Sequence, residues 1–155
     1  MKIDDIKNIA VIGAGNMGHQ IAMLCAIHGY KTVCTDINAE ILRGAQNFAD
    51  TYLAGRVEKE RLTREQAAAA RERISFTSSM EEAVKEADYV IEAVLEILDL
   101  KRKIFKDLDR MAPAHAILAT NSSAIISSKI ADATNRPEKV LNVHFFNPAL
   151  VMKLV

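Results

Sequence analysis

Short apolar runs alternate along this chain with longer stretches in which apolar residues recur at helical spacing. Ile9 to Ile12 is an apolar run closed by Gly13, which predicts a first strand. From Met17 to His28 the residues Met17, Ile21, Met23, Leu24 and Ile27 recur with a helical period, and Gly29 supplies the stop. Thr32 to Thr35 predicts a second strand, its β-branched residues favouring extension, and Asp36 stands at its C-terminal end. Asn38 to about Arg61 is a long helical pattern weakened at Gly44 and Gly55. Thr63 and Gln66 then form a capping-box pattern ahead of Ala67 to Ala70. The prediction is a helical pair, or one broken helix, protruding between the second and third strands.

The same alternation continues to the end. Ile74 to Thr77 predicts a third strand, Ser79 caps a short helix through Lys85, and Ala87 to Ala93 enters and crosses a fourth strand. Leu98 to Met111 predicts a helix with Leu100, Ile104, Phe105 and Leu108 on one stripe, ended by Pro113. Ile117 to Thr120 is the fifth strand, Ile125 to Ala131 a short helix, and Val140 to Phe145 the sixth strand. Strands separated by helices imply parallel pairing through right-handed crossovers. The expectation is one doubly wound parallel α/β domain over residues 1–155.

Composition narrows the classes. A chain of 155 residues, half of them hydrophobic, can bury one substantial core and is too short for two ordinary domains. Twenty basic residues balance twenty acidic ones, which gives no long-range pull toward nucleic acid or an anionic membrane. No apolar stretch is long enough to cross a bilayer, and no secretory core follows the charged start. Cys25 and Cys34 both lie in apolar segments and read as reduced, buried thiols of a cytoplasmic protein. The spacing of the four histidines gives no metal-binding cluster.

The candidate chemistry begins between the first strand and the first helix. Gly13, Gly15 and Gly18 have the spacing that lets a tight turn bring backbone N–H groups against a pyrophosphate at a helix N-terminus. The glycines alone are weak evidence. Their place between a strand and a helix, with a second strand ending in Asp36, raises it. Asp36 is expected to accept hydrogen bonds from an adenosine ribose and to repel a 2′-phosphate, favouring NAD over NADP.

Ligands in such sheets lie beyond the carboxyl ends of the strands, so Glu92 to Glu96, Thr120 to Ser123 and His144 to Asn147 are expected to converge. A neutral His144 ring placed there could take a hydroxyl proton while a hydride leaves the same carbon for a nicotinamide. Ser123 could donate to a substrate oxygen or cap the helix starting near Ile125. Glu96 and Lys101 straddle a helix start and could form a surface ion pair or reach a cofactor.

Four ordered segments carry a resemblance: Val11-Ile12-Gly13-Ala14-Gly15-Asn16-Met17-Gly18, Val90-Ile91-Glu92-Ala93, Thr120-Asn121-Ser122-Ser123 and His144-Phe145-Phe146-Asn147-Pro148. With the closing Val151 to Val155, they resemble the NAD-binding domain of the 3-hydroxyacyl-CoA dehydrogenases, including bacterial 3-hydroxybutyryl-CoA dehydrogenases, over essentially the whole chain. The resemblance implies a Rossmann-like sheet with NAD as cofactor. Its contacts would be Gly13, Ala14, Gly15, Asn16, Met17, Gly18, Asp36, Glu96, Lys101, Ser123 and Asn147. His144 would be the base in oxidation and the acid in reduction, and Ser123 would meet both substrate and nicotinamide. The helical excursion would be a coenzyme A-binding arm on which Lys59 meets phosphate of an acyl-CoA substrate.

Some positions depart from the family pattern. Leu95 replaces a small residue or proline, Ile97 a polar residue, and Ser122-Ser123-Ala124 the usual Thr-Ser-Ser. The glutamate that pairs with the histidine would fall directly after Val155. The family's C-terminal helical domain, which completes the acyl pocket and forms the dimer, is absent from these residues. The implied function is NAD-dependent oxidation of a short-chain (S)-3-hydroxyacyl-CoA to the 3-ketoacyl-CoA, and the reverse, in fatty acid metabolism. This chain would be the cofactor domain, poorly active alone, completed by a homo-oligomer or by a separate chain. The alternatives are a non-catalytic dinucleotide-binding module and one part of a split dehydrogenase.

Overall fold

The computed structural model describes residues 2–155. Six strands form one parallel sheet: β1 (Asn8–Ile12), β2 (Lys31–Thr35), β3 (Ile74–Thr77), β4 (Tyr89–Glu92), β5 (Ile117–Thr120) and β6 (Val140–Asn142). Their spatial order is β3-β2-β1-β4-β5-β6, so the chain winds outward from β1, then returns to its other side at β4. That reversal between β1 and β4 opens the crevice in which such sheets bind ligands.

The helices are α1 (Gly18–Ile27), α2 (Ala39–Glu58), α3 (Arg64–Arg73), α4 (Met80–Val84), α5 (Leu98–Met111) and α6 (Ser128–Ala131). Alternation along the strands supplies two cores. Ile9 and Val11 face α1, α2 and α3, whereas Ala10 and Ile12 face α4, α5 and α6. β4 divides likewise, with Ile91 in the first core and Val90 in the second. Phe105 and Leu108 of the α5 stripe are fully buried in the second core beside Leu118 and Ile130. Cys25 and Cys34 are buried free thiols, and burial pushes both up to about 12. No helix among the described residues is long and apolar enough to cross a membrane.

The excursion after β2 is a pair of helices. Asn38 caps α2, its Oδ1 accepting from the N–H of Glu40 at 2.8 Å and of Ile41 at 3.3 Å. α2 runs through Gly44 and Gly55, and ends where Glu60 takes a left-handed φ of 53°. The reciprocal bonds of Thr63 and Gln66, 3.1 and 2.9 Å, then start α3.

Two boundaries correct the sequence expectation. β6 ends at Asn142 rather than Phe145, and α6 begins at Ser128 rather than Ile125. In both places side chains take over the backbone bonds. The Phe145 N–H donates to Asn121 Oδ1 at 2.8 Å, and the Ile125 N–H to Ser122 Oγ at 2.8 Å.

Candidate cofactor and catalytic site

The last residues of five strands share one row. Thr35 is in register with Ile12, Ile12 with Glu92, Glu92 with Thr120, and Thr120 with Asn142. Whatever follows each strand emerges at that edge. The glycine loop follows β1, Asp36 follows β2, Glu96 follows β4, Ser123 follows β5, and His144 lies just past β6.

The three glycines of the loop have different reasons. Gly13 has φ +95°, and a Cβ there would stand 2.8 Å from the Ala93 carbonyl oxygen. At Gly18 a Cβ would fall 1.7 Å from the Gly13 carbonyl oxygen, so α1 can start against the loop only without one. Gly15 is different, because its Cβ would meet nothing within 4 Å. Among the described residues the N–H groups of Gly15, Asn16, Met17 and Gly18 also find no acceptor. Open space beside unpaired amides at a helix start fits an anion, here the pyrophosphate of a dinucleotide.

Asp36 binds the loop itself. Its Oδ2 accepts from the Ala14 N–H and its Oδ1 from the Asn38 N–H, each at 2.9 Å. A carboxylate oxygen accepts more than one bond, so the group keeps capacity for ribose hydroxyls.

Ser122, rather than Ser123, is the capping serine. Ser122 is buried, its Oγ accepts from the Ile125 N–H, and it donates to Glu96 Oε1. Ser123 is exposed, and among the described residues its hydroxyl has no partner. The same Glu96 Oε1 accepts from the N–H of Ala124 at 3.0 Å and of Ile125 at 3.2 Å. Burial alone would raise the Glu96 carboxyl, but these donors and the Lys101 charge outweigh it and hold the group at about 2.

His144 and Asn147 are exposed at the same edge. The His144 ring lies 5.3 Å from that of Phe146, centroid to centroid. Behind them Phe145, Ala149 and Leu150 pack into the first core, which draws the end of the chain back across the strand ends. Leu95, Ile97, Ile126, Phe146, Val151 and Met152 are left exposed beyond β4, β5 and β6. His19 packs edge-on against Phe48 at 4.4 Å, and His115 bonds Asp88 at 3.0 Å.

Lys101 corrects the expectation of a surface ion pair. It is fully buried, with Nζ 2.7 and 3.0 Å from the two oxygens of the fully buried Glu92 and 3.3 Å from Glu96 Oε2. Held this way, Lys101 reaches the edge only through Glu96 and offers no atom to a ligand directly. Glu92 also accepts from the Val94 N–H and the Thr120 hydroxyl, both at 2.7 Å. Glu92 and Ser122 lie within the segments expected to converge, but the sequence assigned neither a role of its own. The available signals were a carboxylate ending an apolar strand and a lysine on the inward stripe between Leu98 and Phe105.

Lys59 is not brought to this edge. It is the exposed residue closing α2, and 20 helical residues at 1.5 Å each place it about 30 Å from the Asn38 cap.

Residues 8–155 match the family model described as 3-hydroxyacyl-CoA dehydrogenase, NAD binding domain. The chain belongs to that family. It is 42% identical over 151 residues to a probable 3-hydroxybutyryl-CoA dehydrogenase of Bacillus subtilis, a match covering 97% of this chain and 52% of the relative. A 3-hydroxyadipyl-CoA dehydrogenase of Escherichia coli is 39% identical over the same share of this chain and 32% of its own. Among solved structures of the family, a 3-hydroxybutyryl-CoA dehydrogenase from Escherichia coli superposes with a TM-score of 0.92 at 38% identity, covering 96% of this chain and 31% of that one. The (S)-3-hydroxybutyryl-CoA dehydrogenase of Ralstonia eutropha gives 0.89 at 37% identity over 95% of this chain and 52% of that one. The chain thus spans about half the length of the Bacillus relative and about a third of the first Escherichia coli one.

Proposed function

We propose that this chain is the cofactor-binding part of an enzyme that oxidises the 3-hydroxyl of a short-chain (S)-3-hydroxyacyl-CoA to a ketone, and reduces it in reverse. The observation carrying the reading is the shared row of strand ends, which gathers the open Gly15 loop, Asp36, Ser123 and His144 on one edge. The loop amides from Gly15 to Gly18 hold the pyrophosphate, and Asp36 holds the adenosine ribose. Glu96 and Asn147 flank the nicotinamide end. NAD, when bound, supplies the acceptor for the hydride leaving C3.

The exposed His144 ring takes the hydroxyl proton in oxidation and returns it in reduction. The free Ser123 hydroxyl donates to the same substrate oxygen and so holds it beside the imidazole. Lys59, exposed at the far end of α2, meets phosphate of coenzyme A. The exposed apolar residues beyond β4 to β6 are the surface on which a further helical domain would rest, contributed by this polypeptide, by another copy or by a second chain. The two buried free thiols favour a reducing, cytoplasmic setting.

The test is NADH oxidation with acetoacetyl-CoA, with His144→Ala as the matched control. The expected result is slow turnover that disappears in the variant while NADH binding stays. Turnover persisting in His144→Ala would remove the assigned role. NADH binding without any turnover would favour a cofactor-binding module that acts only with a partner domain.

A further inference from the structure

We infer that the buried pair of Glu92 and Lys101 is a positioning device that acts through Glu96 on the Ser122–Ile125 loop, and so sets how Ser123 is presented. The inference rests on the proposed reading of that edge as the substrate side of the site.

The bonds form one chain from the sheet to the loop. Glu92 is fixed from the loop after β4 by the Val94 N–H and from β5 by the Thr120 hydroxyl, both at 2.7 Å. It in turn grips the Lys101 ammonium with both oxygens, at 2.7 and 3.0 Å. The remaining short contact of that ammonium is Glu96 Oε2 at 3.3 Å. The other Glu96 oxygen gathers the Ser122 hydroxyl and the N–H groups of Ala124 and Ile125. Ser123 therefore sits between two residues tied to one carboxylate. The loop has no regular structure of its own, since α6 starts only at Ser128.

Cost points the same way. Both partners of the pair have no exposed side-chain surface, and burying two charges is expensive even when they are paired. Apolar residues of similar volume would fasten α5 to the sheet at least as well. They could not hold an exposed carboxylate in one place. Glu92 touches neither cofactor nor substrate in this arrangement, so it is a positioning residue.

The experiment uses the 155-residue chain and the double variant Glu92→Gln/Lys101→Met. A glutamine still accepts from Val94 and donates to the Thr120 oxygen, while both buried charges go. The expected protein is folded, with its thermal midpoint within a few degrees of wild type. Its Ala124 and Ile125 amide resonances should report a Glu96 titration with its midpoint about one pH unit above the wild-type value of about 2. Exchange of those two amides should quicken, and NADH binding should weaken roughly 3- to 10-fold.

A folded double variant with wild-type titration, exchange and NADH affinity would overturn the inference. Thr120→Val keeps it testable if the double variant does not fold. It removes one donor to Glu92, and the Ala124 and Ile125 resonances should move in the same direction by less. Unmoved resonances there would also overturn it. A wild-type chain that fails to bind NADH, yet shows the coupled titration, would sink the functional reading and leave the positioning role standing.

Discussion

Replacing Gly15 and Gly18 separately by alanine should divide ligand binding from folding within one loop. At Gly18 the new Cβ would lie 1.7 Å from the Gly13 carbonyl oxygen, and backbone cannot yield as a side-chain tip can. Relief needs a displacement of more than 1 Å in either the loop or α1. That belongs to the severe class of point substitutions, about 4 kcal/mol or more. For a domain of this size each kcal/mol moves the thermal midpoint by about 2–4 °C, so Gly18→Ala should lose roughly 10 °C or fail to fold. Gly15 has an open Cβ position and no positive φ. Alanine there should change stability by no more than about 1 kcal/mol, and upward if anything, since it restricts the unfolded chain. The methyl nonetheless occupies the space assigned to pyrophosphate. NADH affinity should fall at least about tenfold, equivalent to about 1.4 kcal/mol. Thermal denaturation by circular dichroism and an NADH fluorescence titration measure the two quantities. A Gly15→Ala protein that binds NADH like wild type, or that loses as much stability as Gly18→Ala, would show that the open space at Gly15 is not the pyrophosphate site.

Three further outcomes follow from features outside the loop. Burial alone would raise the Asp88 carboxyl, but the N–H groups of Lys7 and Asn8 and the side chains of His115 and Asn8 hold it down at about 2, from an ordinary 3.8. Because the folded value is the lower one, its stabilisation of about 2 kcal/mol is present above the ordinary value and is lost as pH falls toward 2. Asp88→Asn should therefore flatten the loss of urea resistance between pH 5 and pH 2, and an unchanged slope would contradict this. Thr63→Ala removes one half of the capping box at α3 and should cost about 1 kcal/mol by urea denaturation, with NADH affinity unaffected. Phe105→Ala empties a fully buried site and should cost about 3–5 kcal/mol; a loss below 1 kcal/mol would mean that the second core collapses around it.

Where pattern and chemistry agreed, the elements were legible in the sequence. Ile74–Thr77, Leu98–Met111 and Ile117–Thr120 have the predicted bounds, and the Thr63–Gln66 box forms as its residues suggested. The strand and helix alternation also led correctly to a parallel sheet. Errors arose where side chains replaced backbone partners. Asn121 takes the Phe145 N–H and ends β6 early, and Ser122 takes the Ile125 N–H and delays α6. Neither substitution has a periodic signature. The Glu92–Lys101 pair was hidden for a related reason, since a charge inside an apolar pattern declares its partner only in three dimensions. Spacing left Ser123 open as substrate donor or helix cap, and burial and hydrogen bonds give the cap to Ser122 and leave Ser123 exposed.

If the carboxyl edge of this sheet is a dinucleotide site with its catalytic groups beside it, an NADH titration of the 15N-labelled chain, read residue by residue from amide shifts, will map to that edge. Saturable shifts are expected at Gly13 through Gly18, the residues next to Asp36, Glu96, Ser122 to Ile125, and Val143 to Asn147, and nowhere else. Shifts clustering instead around Ser75, Glu82 and Lys85, which line a cleft at β2 and β3 that also takes in Asn8 at the start of β1, would contradict this. So would a spectrum that NADH leaves unchanged.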